Sequence, residues 1–199
     1  MKTTEQVLPL LFENKDTLLN RPAKQFVHRL MTVIGRDTGS DLFTTRSMAL
    51  KPHQSCSLRR ESKHKVQYII VLPVLSKENP DIEAFIICHE LAHIYLHHHA
   101  EFAQVSEKFS GVSVKQSHAI TELFEHDADI FATTCLLWHH AAVLHDVGHI
   151  YSIACKVAAM ATTRFEEFEI QRIVKAYWQT KQDHQITATG FLDNPQLTE

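Results

Sequence analysis

Apolar residues recur every three or four positions along much of the chain, which is the spacing of amphipathic helices. The first such stretch covers residues 4–19, in which Pro9 must either lie near the first turn of the helix or kink it. The second begins at Pro22 and keeps its apolar period up to Gly35, where we expect the helix to end. Residues 1–36 are therefore predicted to form N-terminal helices.

Residues 37–73 carry short stretches rich in Thr and Ser instead, and they predict a small sheet. Residues 42–45 and 47–50 are weak strand candidates, whereas the basic run at residues 59–65 is expected to be an exposed loop. Val66–Pro73 is the strongest strand pattern, because it is rich in β-branched and aromatic residues and is closed by proline. We expect the edge of this strand to pair with an extended peptide.

A helix start is clearly marked at Asn79, Pro80 and Asp81, which supply a capping side chain, a proline in the first turn and a carboxylate near the positive helix end. This helix is predicted to run to about His99. A further long helix is predicted over residues 117–140.

Helical spacing returns in residues 141–182, with Gly148 expected in a helix-breaking turn. Residues 183–199 are polar and are expected to fray. Residues 1–182 are thus predicted to form a single domain, in which residues 80–140 supply the central helices. The expected class is α+β and mostly helical, with a small sheet packed on the helix that begins at Pro80 and a helical C-terminal part.

The composition of the chain excludes some classes of function. The 199 residues are 44% hydrophobic and 22% charged, with a net charge of −3, so nothing favours nucleic acid or an anionic membrane as partner. The four cysteines form no Cys-x-x-Cys pair, and the N-terminus resembles neither a signal peptide nor a membrane span. We therefore expect a cytoplasmic protein with reduced thiols.

The chemistry is concentrated in His89-Glu90-Leu91-Ala92-His93, a His-Glu-x-x-His pattern inside an apolar run. On a helix the two histidines lie on one face about a turn apart, so both imidazoles can bind one metal ion. Glu90 points in a neighbouring direction, from which it can act as a general base without being a ligand. The alternative is a histidine-rich amphipathic helix that binds no metal.

A catalytic zinc site needs a third protein ligand. Glu125 is the best candidate, because Asp129 shares its helix face and can accept a hydrogen bond from a ligand histidine. Glu122, three residues earlier, is the second choice as ligand.

Together, His-Glu-Leu-Ala-His and the later Glu-x-x-Ala-Asp-x-Phe-Ala resemble the ImmA/IrrE family of metallo-endopeptidases, within the wider gluzincin group. The resemblance covers residues 66–137, and His97 matches a further histidine common in that family. It implies a zincin-like core, one zinc ion bound by His89, His93 and Glu125, general-base chemistry at Glu90 and support from Asp129. Two features depart from the family: Trp138-His139-His140 replaces its usual Met-Pro, and the C-terminal part shows no helix-turn-helix pattern.

Other histidines near the motif have weaker claims. His99 has the spacing of the third ligand in metzincins, but Leu96 stands where that pattern has glycine and should favour a continuing helix. His97, His126 and Tyr151 are candidates for the rim of the site, and the last two for a donor to the oxyanion.

The dipeptide His145-Asp146 resembles the signature of HD-type metal phosphohydrolases. A complete site of that kind also needs an upstream histidine, for which His118 could serve, and a downstream aspartate. The only later aspartates, Asp183 and Asp193, lie in a polar region, so this motif is incomplete.

Three functions follow from these patterns. The first is a zinc-dependent endopeptidase that hydrolyses a cytoplasmic protein or peptide, such as a repressor, a regulator or a host factor. The second is a catalytically silent, metal-containing regulatory or binding protein, and the third is the HD-type phosphohydrolase. The presence of both a general base and a supporting aspartate favours the first.

Overall fold

The computed structural model describes Thr4 and residues 22–51, 54–63, 65–99, 114–141 and 146–192. Apart from Thr4, the predicted helix over residues 4–19 lies outside this part of the chain. The fold is α+β and mostly helical. Its elements in chain order are α1 (Ala23–Thr38), β1 (Ser40–Ser47), β2 (Cys56–Glu61), β3 (Val66–Pro73), a 3-10 helix (Val74–Glu78), α2 (Pro80–Tyr95), α3 (Val114–His140), α4 (Val147–Ala158) and α5 (Glu167–Leu192).

Helix α1 buries one apolar face and leads directly into the sheet. The prediction that Gly35 ends this helix was wrong, because the helix continues to Thr38 and Gly39 takes the left-handed conformation with φ of 64°. A Cβ atom on Gly35 would lie 2.9 Å from the carbonyl oxygen of Ser40. The glycine therefore permits a close approach between α1 and the start of β1.

The sheet has the order β1-β3-β2, with β1 parallel and β2 antiparallel to β3. The prediction that β3 offers an edge to an extended peptide was wrong, because this strand is central and pairs on both sides. Its exposed neighbour β2 contains residues 59–61, which were expected in a loop. Residues 48–50, expected in a strand, follow the end of β1 as a turn and a bend.

Helix α2 is the centre of the fold. Every residue from Ala84 to Tyr95 is buried, between α1, α3 and the sheet. Its predicted start is confirmed: Asn79 Oδ1 accepts hydrogen bonds from the backbone N–H groups of Asp81 (3.1 Å) and Ile82 (3.3 Å).

The predicted end of α2 at His99 was wrong. The helix ends at Tyr95, and His97 has φ of 62°, a left-handed conformation that residues other than glycine seldom adopt. This turn brings His98 back to His93 on α2 and brings His99 to Ser57 on β2.

The C-terminal helices pack on α3. Gly148 lies in the first turn of α4 rather than in a helix-breaking turn, because Asp146 Oδ1 caps that helix by accepting the Gly148 N–H at 3.0 Å. Helix α5 continues past the expected boundary at residue 182, and residues 193–199 lie outside the described part. The Tyr177 hydroxyl on α5 donates to the Ala141 carbonyl oxygen at 2.7 Å.

None of the helices in the described ranges is both long enough and apolar enough to span a membrane. All four cysteines are free thiols: Cys88 and Cys135 are buried, Cys155 is half-buried and Cys56 is exposed.

Candidate metal centre

Helices α2 and α3 bring His89, His93 and Glu125 together at the floor of a cleft. The two helices approach closely because the residues between them are small: Ala92, Ala128 and Ala132 are all fully buried. His89 Nε2 lies 3.1 Å from Glu125 Oε2 and 3.1 Å from His93 Nε2, and His93 Nε2 lies 3.6 Å from Glu125 Oε1.

These distances suit a single divalent cation. Bonds of about 2.0–2.2 Å to one tetrahedral ion would separate its ligand atoms by about 3.3–3.6 Å. The three side chains each offer one ligand atom, and these atoms lie within 4.8 Å of one another. The group could therefore hold a metal ion without rearrangement of the helices.

Asp129 fixes the orientation of His89. Its Oδ1 lies 2.8 Å from His89 Nδ1, so the other ring nitrogen, Nε2, faces the ligand group. Asp129 is fully buried, and its second oxygen accepts hydrogen bonds from the Thr163 N–H (2.9 Å), the Thr163 hydroxyl (2.7 Å) and the Thr162 hydroxyl (3.2 Å). These threonines lie on the connection between α4 and α5, and no motif in the sequence indicated them.

Glu90 lines the cleft beside the ligand group. It is 4% exposed, and its Oε1 accepts a hydrogen bond from the Ser55 hydroxyl at 2.6 Å. Ser55 lies just before β2 and was not predicted as a site residue. The cleft has a volume of about 810 Å³. Residues 54–57 contribute mostly polar side chains to its lining, whereas Ile82, Phe85 and Ile86 contribute apolar ones.

The three predicted rim residues lie elsewhere. The prediction that His126 lies at the rim of the site was wrong. Its Nδ1 lies 3.0 Å from Thr163 Oγ1 and its Nε2 lies 2.7 Å from Glu169 Oε1. His126 therefore supports Thr163, the threonine that donates to Asp129. Tyr151 is half-buried against the core, and His97 is an exposed residue of the turn after α2. None of the three is among the described residues that line the cleft.

The two rival ligands remain outside the ligand group that the described residues form. Glu122 is exposed on α3. His99 does line the cleft, but its Nε2 lies 2.9 Å from the Ser57 hydroxyl. The expectation that Leu96 would prolong the helix was wrong, yet the turn at His97 directs His99 to β2 rather than to the ligand group.

The HD-type motif can be judged only at Asp146. This residue is exposed, caps α4 and lies 2.8 Å from His149 Nδ1 through its Oδ2. His145 and Asp193 lie outside the described residues, as do the side chains of His118 and Asp183.

The carboxylates around His89 set its protonation. Burial lowers the pKa of the ring, but the hydrogen bonds to Asp129 and Glu125 outweigh burial and raise the pKa to about 10. Burial and the neighbouring His89 lower the pKa of His93. The hydrogen bond to His89 lowers the pKa of Glu125. Burial raises the pKa of Asp129, but the hydrogen bond and charge of His89 and the hydrogen bonds of Thr163 together outweigh burial and lower it.

Metal binding should therefore release a proton from His89. Between the ordinary pKa of about 6.5 and the raised pKa of about 10, His89 is protonated in the folded protein, and a cation that binds Nε2 must displace that proton. We expect about one proton released per ion near pH 8, measured by isothermal titration calorimetry in buffers of different ionisation enthalpy.

Above about pH 10 the release should disappear, since His89 is then neutral before the metal binds. Zinc binding near pH 8 without any release would contradict this assignment. The same raised pKa stabilises the metal-free fold fully below about pH 6.5, and that contribution is lost as the pH rises through about 10.

Comparisons of the chain with models of protein families, with curated proteins and with solved structures found no match. The functional argument therefore depends on the residues of the site.

Proposed function

We propose that this protein is a zinc-dependent endopeptidase with a zincin-like core of the ImmA/IrrE type, acting on a cytoplasmic protein. One observation carries the proposal: two histidines and one glutamate form a compact ligand group, and Glu90 lies beside it in the same cleft. This combination supports hydrolysis better than a purely structural ion, for which a closed shell of cysteines is more common.

The donor set favours zinc as the ion. Two imidazoles and one carboxylate are the protein ligands of many catalytic zinc sites, in which a water or the substrate takes the fourth position. When bound there, zinc lowers the pKa of a coordinated water and polarises a carbonyl oxygen. His89, His93 and Glu125 would hold the ion, and Asp129 would keep His89 in the required tautomer.

Glu90 is the proposed general base. Its Oε1 accepts a hydrogen bond from the Ser55 hydroxyl, and the residue lines the cleft. In this role Glu90 accepts a proton from the attacking water and donates it to the leaving amine. His126 and Tyr151 lie away from the cleft. Among the described residues that line it, Gln54 and His99 carry side-chain N–H groups outside the ligand set, and we propose them as donors to the oxyanion.

We propose that an extended substrate pairs with the edge of strand β2, and not with β3 as the sequence predicted. Among the described strands, β2 is paired only with β3, so its other edge is available to an extended peptide. Ser55, Cys56 and Ser57 at its start line the cleft, which would bring a peptide paired with β2 across the ligand group.

Hydrolysis of peptides by the zinc-loaded protein tests the function. We expect a mixture of unstructured peptides to be cut at internal bonds, as detected by mass spectrometry, with activity lost to a chelator and restored by zinc. Zinc bound at a ratio of one without any cleavage would support the silent binding protein. Hydrolysis of phosphate esters that is abolished by His145→Ala but survives His89→Ala would support the HD-type enzyme.

A further inference from the structure

His98 contacts the ligand His93 through the Nδ1 atom of that ligand, as Asp129 contacts the ligand His89. Its Nδ1 is 3.0 Å from Nδ1 of His93, and its ring stacks on Phe124, with centroids 4.5 Å apart and an interplanar angle of 11°. His98 is 3% exposed. We propose that His98 is a positioning residue that holds the ligand His93 in its metal-binding tautomer and orientation, an inference that rests on the metal centre proposed above.

The hydrogen bond between the two rings fixes their tautomers. A bond between two ring nitrogens needs a proton on one of them and a lone pair on the other. His93 directs its Nε2 toward His89 and Glu125, and a nitrogen that binds a metal carries no proton. The proton of neutral His93 is therefore on Nδ1, so His93 donates and His98 Nδ1 accepts.

This assignment places the proton of His98 on Nε2. His98 Nε2 is buried and has no hydrogen-bond partner among the described residues. A buried N–H without a partner destabilises a fold, and such groups are rare unless another requirement maintains them. Support of His93 is such a requirement, because it needs the opposite nitrogen, Nδ1, as an acceptor.

The backbone provides independent support. Helix α2 ends at Tyr95, and the left-handed conformation of His97, with φ of 62°, turns the chain so that the ring of His98 reaches His93. Residues other than glycine in this conformation are strained, and strain of this kind is often kept at functional sites. Phe124, on which the His98 ring stacks, directly precedes the ligand Glu125 on α3.

A neutral acceptor also suits the charge of the site. Glu90, Glu125 and Asp129 already place three carboxyl groups around the two ligand histidines. A carboxylate at position 98 would add a fourth, with repulsion among like charges. An imidazole accepts the hydrogen bond from His93 without adding negative charge.

Two substitutions separate positioning from packing. His98→Leu keeps an apolar side chain against Phe124 but removes the acceptor, whereas the Oδ1 atom of Asn in His98→Asn can take the place of Nδ1. His139→Leu is the matched control, because His139 also stacks on a phenylalanine, Phe26, with centroids 4.7 Å apart, but has no contact with a ligand residue among the described contacts.

The measurements are the zinc dissociation constant, by competition with a chromogenic chelator, and the visible spectrum of the Co²⁺-substituted protein. We expect His98→Leu to weaken zinc binding by about 10–100-fold and to alter the Co²⁺ spectrum, as for other outer partners of metal ligands. His98→Asn and His139→Leu should bind zinc nearly as tightly as the unaltered protein, with an unchanged spectrum.

Unchanged zinc affinity in His98→Leu would overturn the inference and leave the proposed endopeptidase intact. Equal losses in His98→Asn and His98→Leu would also overturn it, because packing of the ring would then be its role. If the unaltered protein binds no zinc, the proposed function and this inference both fail. Should His98→Leu not fold, as judged by circular dichroism, the His98→Asn result decides: retained affinity supports the inference and a loss overturns it.

Discussion

Glu90→Gln is expected to lower the rate of peptide hydrolysis by about 10²–10⁴-fold, the usual contribution of a general base. The effect should fall on kcat, because an amide cannot accept the proton of the attacking water. The fold should be unaffected, since glutamine has nearly the same shape and its amide oxygen can still accept the Ser55 hydroxyl that now donates to Glu90 Oε1. Zinc affinity should also change little, because Glu90 is outside the ligand group.

The measurement pairs steady-state cleavage of a peptide substrate with the zinc content of the same sample. Loss of activity with full zinc content is the expected result. If the variant cleaves at the unaltered rate, Glu90 is not the base. If it loses zinc along with activity, Glu90 belongs to the ligand set and the assignment of roles in the cleft is wrong. A Glu90→Gln variant that binds but does not cut would also retain its natural substrate for identification.

The parts of this site that the sequence predicted are those encoded by local spacing. His89 and His93 are one helical turn apart, as are Glu125 and Asp129, so each pair shares a face once the helix forms. The start of α2 was predictable for the same reason, because Asn79 caps the two residues that follow it closely in sequence. Local patterns thus determine which side chains each helix offers, and small residues such as Ala128 allow the helices to meet.

The parts that the sequence did not predict depend on contacts between distant residues. Thr163 reaches Asp129 from the connection between α4 and α5, and Ser55 reaches Glu90 from the segment before β2. A serine or threonine in a loop carries no periodic signal that names its partner. Both were therefore outside the candidate set, although they hold the two carboxylates that the proposed chemistry needs.

Two errors have a common physical origin in the backbone. Residues 59–61 of strand β2 were expected in a loop, because Arg59, Arg60 and Glu61 on an exposed edge strand lack the apolar alternation that marks a half-buried strand. The end of α2 was predicted at His99 because helix propensities do not indicate that a histidine at position 97 takes the left-handed conformation. In each case tertiary contacts, with β3 or between His98 and His93, override the local preference.

Glu125→Ala is expected to remove most of the metal affinity, beyond the 10–100-fold loss typical of an outer partner, because it deletes one of three protein ligands. It also leaves His89 Nε2 without the carboxylate that now lies 3.1 Å away. The measurement is the zinc stoichiometry after dialysis, together with the dissociation constant by chelator competition. Peptide hydrolysis should be lost in parallel.

Glu122→Ala is the matched control for Glu125→Ala, since Glu122 lies one turn earlier on the same helix, is exposed and was the rival choice as ligand. We expect this variant to bind one zinc ion and to cleave peptides as the unaltered protein does. The reverse outcome, with zinc retained in Glu125→Ala and lost in Glu122→Ala, would require α3 to shift by about 4.5 Å along its axis and to rotate by about 60°. Such a rotation would draw Asp129 from His89 and from Thr163, so the two variants together test the ligand and the packing of α3 that positions it.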